Sequence, residues 1–152
     1  MLNSIQVNCT SLEKLTLKNL ESVTHEALTH LISHLQVDHL EKLNLHRLVQ
    51  IKDEIIMILI QRCALKLEVL DINGLDELSE VCLMELSLLS KLRTLDVSFI
   101  RNFTDNCMMT LMAKSIQSVR VFGVHKLTDT LLNGVWKNGS GESIRLIGNE
   151  FD

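Results

Sequence analysis

The chain has 152 residues, 46% of them hydrophobic but only 3% aromatic, with no Tyr and no Pro, so it can bury a sizeable core and that core must be aliphatic. A formal net charge of −4 excludes the broadly basic field that draws a protein to nucleic acid, while leaving room for local basic clusters. Its four cysteines form no CxxC pair and no Cys/His cluster with zinc spacing, and the longest apolar run, IIMILI at 55–60, is far too short to span a membrane.

Residues 1–9, MLNSIQVNC, lack the basic start and long apolar run of a secretory leader. Leu2, Ile5 and Cys9 fall at the offsets that Ile56, Leu59 and Cys63 hold later on the inner side of a helix, so the chain is expected to begin inside a repeat. Leu12, Leu15, Leu17 and Leu20, in LEKLTLKNL, have the spacing of a short strand buried on one side and then a turn inward. Thr24 follows as a helix N-cap, with Ala27, Leu28, Leu31 and Ile32 as the apolar stripe. The second unit repeats this with Leu40, Leu43, Leu45 and Leu48, then Asp53, Ile55, Ile56, Leu59 and Ile60. The third has Leu67, Leu70, Ile72 and Leu75, then Ser79, Glu80, Cys82, Leu83 and Leu86. The fourth, Leu92 to Met112, runs Leu92, Leu95, Val97 and Ile100, then Thr104, Asp105, Cys107, Met108, Leu111 and Met112. In the fifth, Ile116, Val119, Val121 and Val124 precede Thr128, Asp129, Leu131, Leu132, Val135 and Trp136. The loop KNGSGES at 137–143 breaks the last helix, and a sixth strand, Ile144 to Leu146, follows it.

Units starting at 12, 40, 67, 92, 116 and 141 lie 28, 27, 25, 24 and 25 residues apart, and a repeat of that length signals a solenoid. A lone strand and helix cannot bury both of their apolar faces. Stacked units can, with a parallel sheet on one side, helices on the other and leucines between. Asp53, Glu80, Asp105 and Asp129 each sit just after a cap position, where the positive end of the helix dipole favours an acid, which makes them folding features. Cys9, Cys63, Cys82 and Cys107 fall at inward positions and read as reduced thiols serving as small apolar core residues.

This pattern resembles the leucine-rich repeats of the cysteine-containing subtype, found in F-box proteins and relatives, which reads roughly C-x-x-L-x-x-L-x-L-x-x-C-x-x-L-T-D-x-G-L. Cys9 with Leu12, Leu15 and Leu17 matches the first half of that pattern; Phe103, Thr104, Asp105 and Cys107, and Leu127, Thr128, Asp129 and Leu131, match the second. The second cysteine of the motif is replaced by Leu20, Leu48, Leu75, Ile100 and Val124, so the repeats are degenerate. Near the C-terminal end, LDVSFIRNFTD at 95–105, VFGVHKLTD at 121–129 and LIGNE at 146–150 look like the closing repeats of the leucine-rich subunit of fungal global-genome nucleotide-excision repair. The resemblance implies an α/β leucine-rich repeat solenoid, a horseshoe with a parallel concave β-sheet and convex α-helices. Residues 1–152 would form a single domain of about five and a half repeats. It further implies a protein that works with a DNA-translocating partner and in a cullin-type ubiquitin ligase, although no F-box or other adaptor segment is recognisable in these residues.

Side chains alternating with the buried strand leucines face outward on the concave side. They stack as Lys14, Thr16 and Lys18; Lys42, Asn44 and His46; Val69, Asp71 and Asn73; Thr94, Asp96 and Ser98; Ser118, Arg120 and Phe122; and Ser143, Arg145 and Ile147. Basic groups lie at the two ends and two acids in the middle, a layout that suits a protein partner better than a uniform polyanion. The candidate partner-binding set is therefore Lys18, Asn44, His46, Asp71, Asn73, Asp96, Ser98, Arg120, Phe122 and Arg145. Asp71 and Asp96, on neighbouring strands about 5 Å apart, either await a partner's cation or stay solvated. Arg120, Phe122 and Arg145 form the strongest contact cluster, because Arg and aromatic side chains dominate interface hot spots; the other reading is a solvated strand face. Lys14, Lys18, Lys42, His46 and Arg47 are either a solubilising face or contacts to phosphate. His30 and His34 share a helical face, yet no HExxH or second acidic ligand accompanies them, so no metal site is read. Met57 and Ile58 fall outside the inner stripe of their helix and could leave an apolar spot on the convex side.

These residues imply recognition without catalysis: no catalytic residue, no cofactor, no membrane, and direct nucleic-acid contact disfavoured. The expected protein is intracellular, nuclear or cytoplasmic, and binds protein partners, ubiquitin-ligase components or a repair ATPase among them. The alternatives are a stand-alone leucine-rich repeat regulator of signalling or the cell cycle, and a direct DNA-binding protein.

Overall fold

The computed structural model describes residues 11–20 and 22–148. Leu2, Ile5 and Cys9, read above as the tail of an earlier repeat, lie outside the described residues, as do positions 149 and 150 of the last C-terminal match. Six three-residue strands, β1 (Lys14–Thr16), β2 (Lys42–Asn44), β3 (Val69–Asp71), β4 (Thr94–Asp96), β5 (Ser118–Arg120) and β6 (Arg145–Ile147), pair in sequence order and all in parallel. Between them run α1 (His25–His34), α2 (Asp53–Cys63), α3 (Glu80–Glu85) with a 3₁₀ turn at Leu86–Leu88, α4 (Asp105–Met112) and α5 (Asp129–Leu132). The fold is the α/β leucine-rich repeat solenoid.

Parallel neighbours in register put equivalent side chains beside one another, so Leu15, Leu43, Leu70, Leu95 and Val119 form one buried row. Each contributes about 2 kcal/mol by leaving water. Leu17, Leu45, Ile72, Val97 and Val121 make the next row, and the helices close over both with Leu28, Leu31, Ile56, Leu59, Leu83 and Leu111. Cys63, Cys82 and Cys107 are free and buried in this core; burial pushes the Cys63 thiol up to about 11 and, with the nearby Asp53 carboxylate adding to it, the Cys82 thiol up to about 12. Met57 and Ile58, read from sequence as a possible convex apolar spot, are half-buried and packed against the core. Among the described residues, the exposed apolar side chains on this side include Val81 and Met109 on their helices and Leu65, Leu88 and Val135 just past theirs.

Thr24, Ser79, Thr104 and Thr128 cap their helices, each hydroxyl accepting a backbone N–H three residues on. The first-turn acids go beyond their dipole role by joining successive repeats. Asp53 accepts from the Ser79 amide at 2.9 Å and its hydroxyl at 2.5 Å, Glu80 from the Thr104 hydroxyl at 2.6 Å, and Asp105 from the Thr128 amide at 2.9 Å and hydroxyl at 2.6 Å. Every bridged cap hydroxyl thus donates to the acid of the preceding repeat and accepts from its own helix.

The last repeat departs from the sequence reading in two ways. Helix α5 stops at Leu132, so Val135 is 92% exposed instead of facing inward; the Trp136 indole N–H donates to the Leu131 carbonyl at 2.8 Å and helps end the helix. The spacing from β5 to β6 is also 27 residues, pairing Ser118 with Arg145 and Arg120 with Ile147. The two additional residues are taken up by the loop after the helix. There Asn138 is buried, its amide N–H groups donating to the Ile116 carbonyl and to Glu142, and its oxygen accepting from the Ser140 and Glu142 amides. The Gly139 amide donates to the Lys114 carbonyl at 2.7 Å, and a Cβ at Gly139 would lie 2.3 Å from the Ala113 carbonyl oxygen, so only glycine fits this approach.

Candidate partner-binding face

Each strand contributes only three residues, and the backbone ladder continues past them: the Arg47 amide donates to Asn73, Gly74 to Ser98 and Phe99 to Phe122. The outward side chains therefore form three rows across the sheet. In the middle row Asn44, Asp71, Asp96, Arg120 and Ile147 are in register.

Asp71 and Asp96 are adjacent, but each turns to a partner on its other side. The Asn44 amide donates to Asp71 Oδ2 at 2.7 Å, and Asp96 Oδ2 lies 3.7 Å from Arg120 Nη1. Their remaining oxygens, with that of Asn44, accept the amides of Asn73, Ser98 and His46 at 3.0 Å, closing a local turn in three successive repeats. The two carboxylates, read from sequence as either awaiting a partner's cation or staying solvated, are thus already engaged within the sheet. The Asp96–Arg120 pair is the looser contact, because Arg120 is half exposed and solvent screens it.

Among the other sequence-derived candidates, Lys18 is exposed beyond β1, while His46 and Asn73 are half-buried. Ser98, expected to present its hydroxyl outward, is only 1% exposed, and its Oγ has no hydrogen-bond partner. Its short side chain sits in the row between Asn73 and Phe122 and does not reach above them. Arg145 does not join Arg120 and Phe122 as expected. The 27-residue spacing moves it one rung back, beside Ser118, where it lines an open polar pocket of about 400 Å³ with Gln117, Glu142 and Ser143. Glu142 in that pocket is tied to Asn138 and Gln117, whose amides hold its carboxyl below the usual range.

Phe99 was not among the sequence-derived candidates. It is 57% exposed, has φ +59, and its ring lies where a Cβ on Gly123 would sit, 2.5 Å away. The equivalent turn positions hold Asn19, Arg47, Gly74 and Gly123, all with positive φ. A large aromatic in a slot otherwise filled by polar residues or glycine was the available signal. Phe122 is also exposed, at 44%, and rests against Gly148.

Among the described residues no group of three or more His, Cys, Asp or Glu is placed to hold a metal ion, and His30 and His34 stack with ring centroids 4.3 Å apart. No described helix is long and apolar enough to cross a membrane.

No family model matches the chain, and no curated protein matches it by sequence. Its structure is similar to a chain in the crystal structure of the Rad7 and Elc1 complex in yeast, with a TM-score of 0.75 and 23% identity over 96% of this chain. The match covers 37% of that yeast chain, so the likeness is one of fold over part of a longer protein.

Proposed function

We propose that this chain is a protein-interaction module, a single leucine-rich repeat domain over residues 1–152, acting as a substrate-receptor or assembly subunit linked to a cullin-type ubiquitin ligase and to nucleotide-excision repair. The observation that carries this reading is the structural likeness, over nearly the whole chain, to a protein solved as a complex of Rad7 with Elc1. The resemblance of residues 95–105 and 121–129 to the leucine-rich subunit of fungal repair supports the same assignment. The sheet face supports binding rather than catalysis, since its acids are engaged by neighbouring amides and Arg120. Its partners are ligase components or a repair ATPase, met in the nucleus or cytoplasm through Lys18, Asn44, His46, Asp71, Asn73, Asp96, Arg120, Phe122 and Arg145.

Affinity capture of the tagged full chain from native cell extract, read by mass spectrometry, tests the reading. Ligase subunits or a DNA-translocating ATPase should come down with the wild type and fall away with Arg120→Ala/Phe122→Ala. Recovery of signalling or cell-cycle proteins alone would move the assignment to a stand-alone regulator, and recovery of no partner would reject it.

A further inference from the structure

Phe99 holds a left-handed backbone conformation that bulky side chains avoid, yet more than half of it faces solvent. Core packing does not account for such a residue. Its amide donates to the Phe122 carbonyl at 2.7 Å, which places the two exposed aromatics on adjoining repeats at the same edge of the sheet. Arg120 stands two residues before Phe122 on the same face, more than half exposed and loosely held 3.7 Å from Asp96. Ser98, next to Phe99 in the chain and in register with Phe122, has a buried hydroxyl with no hydrogen-bond partner.

Charge selects what this edge would receive. Arg120 stands at this edge and Arg145 on the next strand, with Lys14, Lys18 and Lys42 toward the far end of the sheet, against Asp71, Asp96 and the Glu142 beside Arg145, a positive surplus on a chain whose net charge is −4. Lys14, Lys18, Lys42 and Arg145 have no ion pair among the described residues. We propose that Phe99, Phe122 and Arg120 dock an acidic segment of a partner protein, with an apolar residue of that segment seated on the two rings and a neighbouring carboxylate paired with Arg120. This rests on the protein-interaction reading above and specifies the chemistry of the partner. A nucleic acid is the poorer occupant, because Asp71 and Asp96 interrupt the cationic track that a phosphate backbone would follow.

The probe is a random dodecapeptide display library, panned on the purified full chain, with the enriched peptides measured by fluorescence anisotropy. Phe99→Gly keeps the left-handed backbone while removing the ring, and Arg120→Glu reverses the charge. Enriched peptides should be net acidic with at least one aliphatic or aromatic residue. Their affinity should fall about tenfold or more in either variant, as for hot-spot residues, with the melting temperature held. No enrichment, enrichment without acidic bias, or affinity unchanged in folded variants would overturn the proposal. So would oligothymidylate that binds more tightly than the peptides and displaces them. Native-extract capture that is equal for wild type and Phe99→Gly/Arg120→Glu would sink this docking point alone, whereas empty wild-type capture would sink the functional reading.

Discussion

Phe99 and Gly123 set each other's limits. The ring of one occupies the space that any side chain on the other would need, and both residues have positive φ. Gly123→Ala should therefore cost about 1–2 kcal/mol from backbone strain and more from the clash. Adding Phe99→Gly should recover the steric part, leaving a coupling of about 1 kcal/mol in a double-mutant cycle read by urea unfolding. Strictly additive losses would show that the ring is not what excludes a side chain at Gly123. The turn-closing residues Asn44, Asp71 and Asp96 carry a different lesson. Their position on the outward face is legible from strand alternation, but their availability is not. Whether a carboxylate points at solvent or at the next strand depends on residues 24–27 positions away, such as Arg120 for Asp96 and Asn44 for Asp71.

Helix starts are where successive repeats are tied together. At the starts of α2, α3 and α4 the acids Asp53, Glu80 and Asp105 satisfy the dipole and also receive the next cap hydroxyl, so removing one leaves two repeats less well joined. Asp53→Ala and Asp105→Ala should each destabilise by about 1–2 kcal/mol, as lost cap and charge-assisted hydrogen bonds do. Asp129, whose side chain receives no cap hydroxyl among the described residues, should lose under about 0.5 kcal/mol on the same change in chemical denaturation. Equal losses at all three would mean that the dipole alone accounts for the acids.

The loop before β6 has its own pH signature. Hydrogen bonds from Asn138 first and Gln117 second hold the Glu142 carboxyl below its ordinary range. A group with a depressed folded pKa stabilises above its unfolded pKa and loses that contribution as pH falls through the folded value. The protection factors at Asn138 through Ser143, which compare exchange with the intrinsic rate at each pH, should fall on acidification from about pH 7 to about pH 3. Glu142→Gln should flatten that response, and an identical pH response in the variant would show that another group controls the loop.

At the scale of the whole molecule, each repeat touches mainly its neighbours, so stability accumulates along the stack rather than residing in one centre. The β3 and β4 repeats are covered on both sides, with Leu70 and Leu95 at 3% and 0% exposure, whereas Leu146 in β6 is half-buried. Native-state hydrogen exchange should give the highest protection in β3 and β4 and a graded decline toward β1 and β6. Uniform protection across all six strands would argue instead for a single all-or-none unit.

The sequence by itself determined the repeat, the parallel order, the inward leucine rows, four of the five helix caps and the burial of Cys63, Cys82 and Cys107. All of these follow from local periodicity and from the need of each unit to bury two apolar faces against its neighbours. The register of β6, the displacement of Arg145, the burial of Ser98 and the exposure of Phe99 were decided only in three dimensions. The length absorbed by the Asn138 loop and the side-chain partners across strands are set by long-range packing, to which a count of residues along the chain is blind.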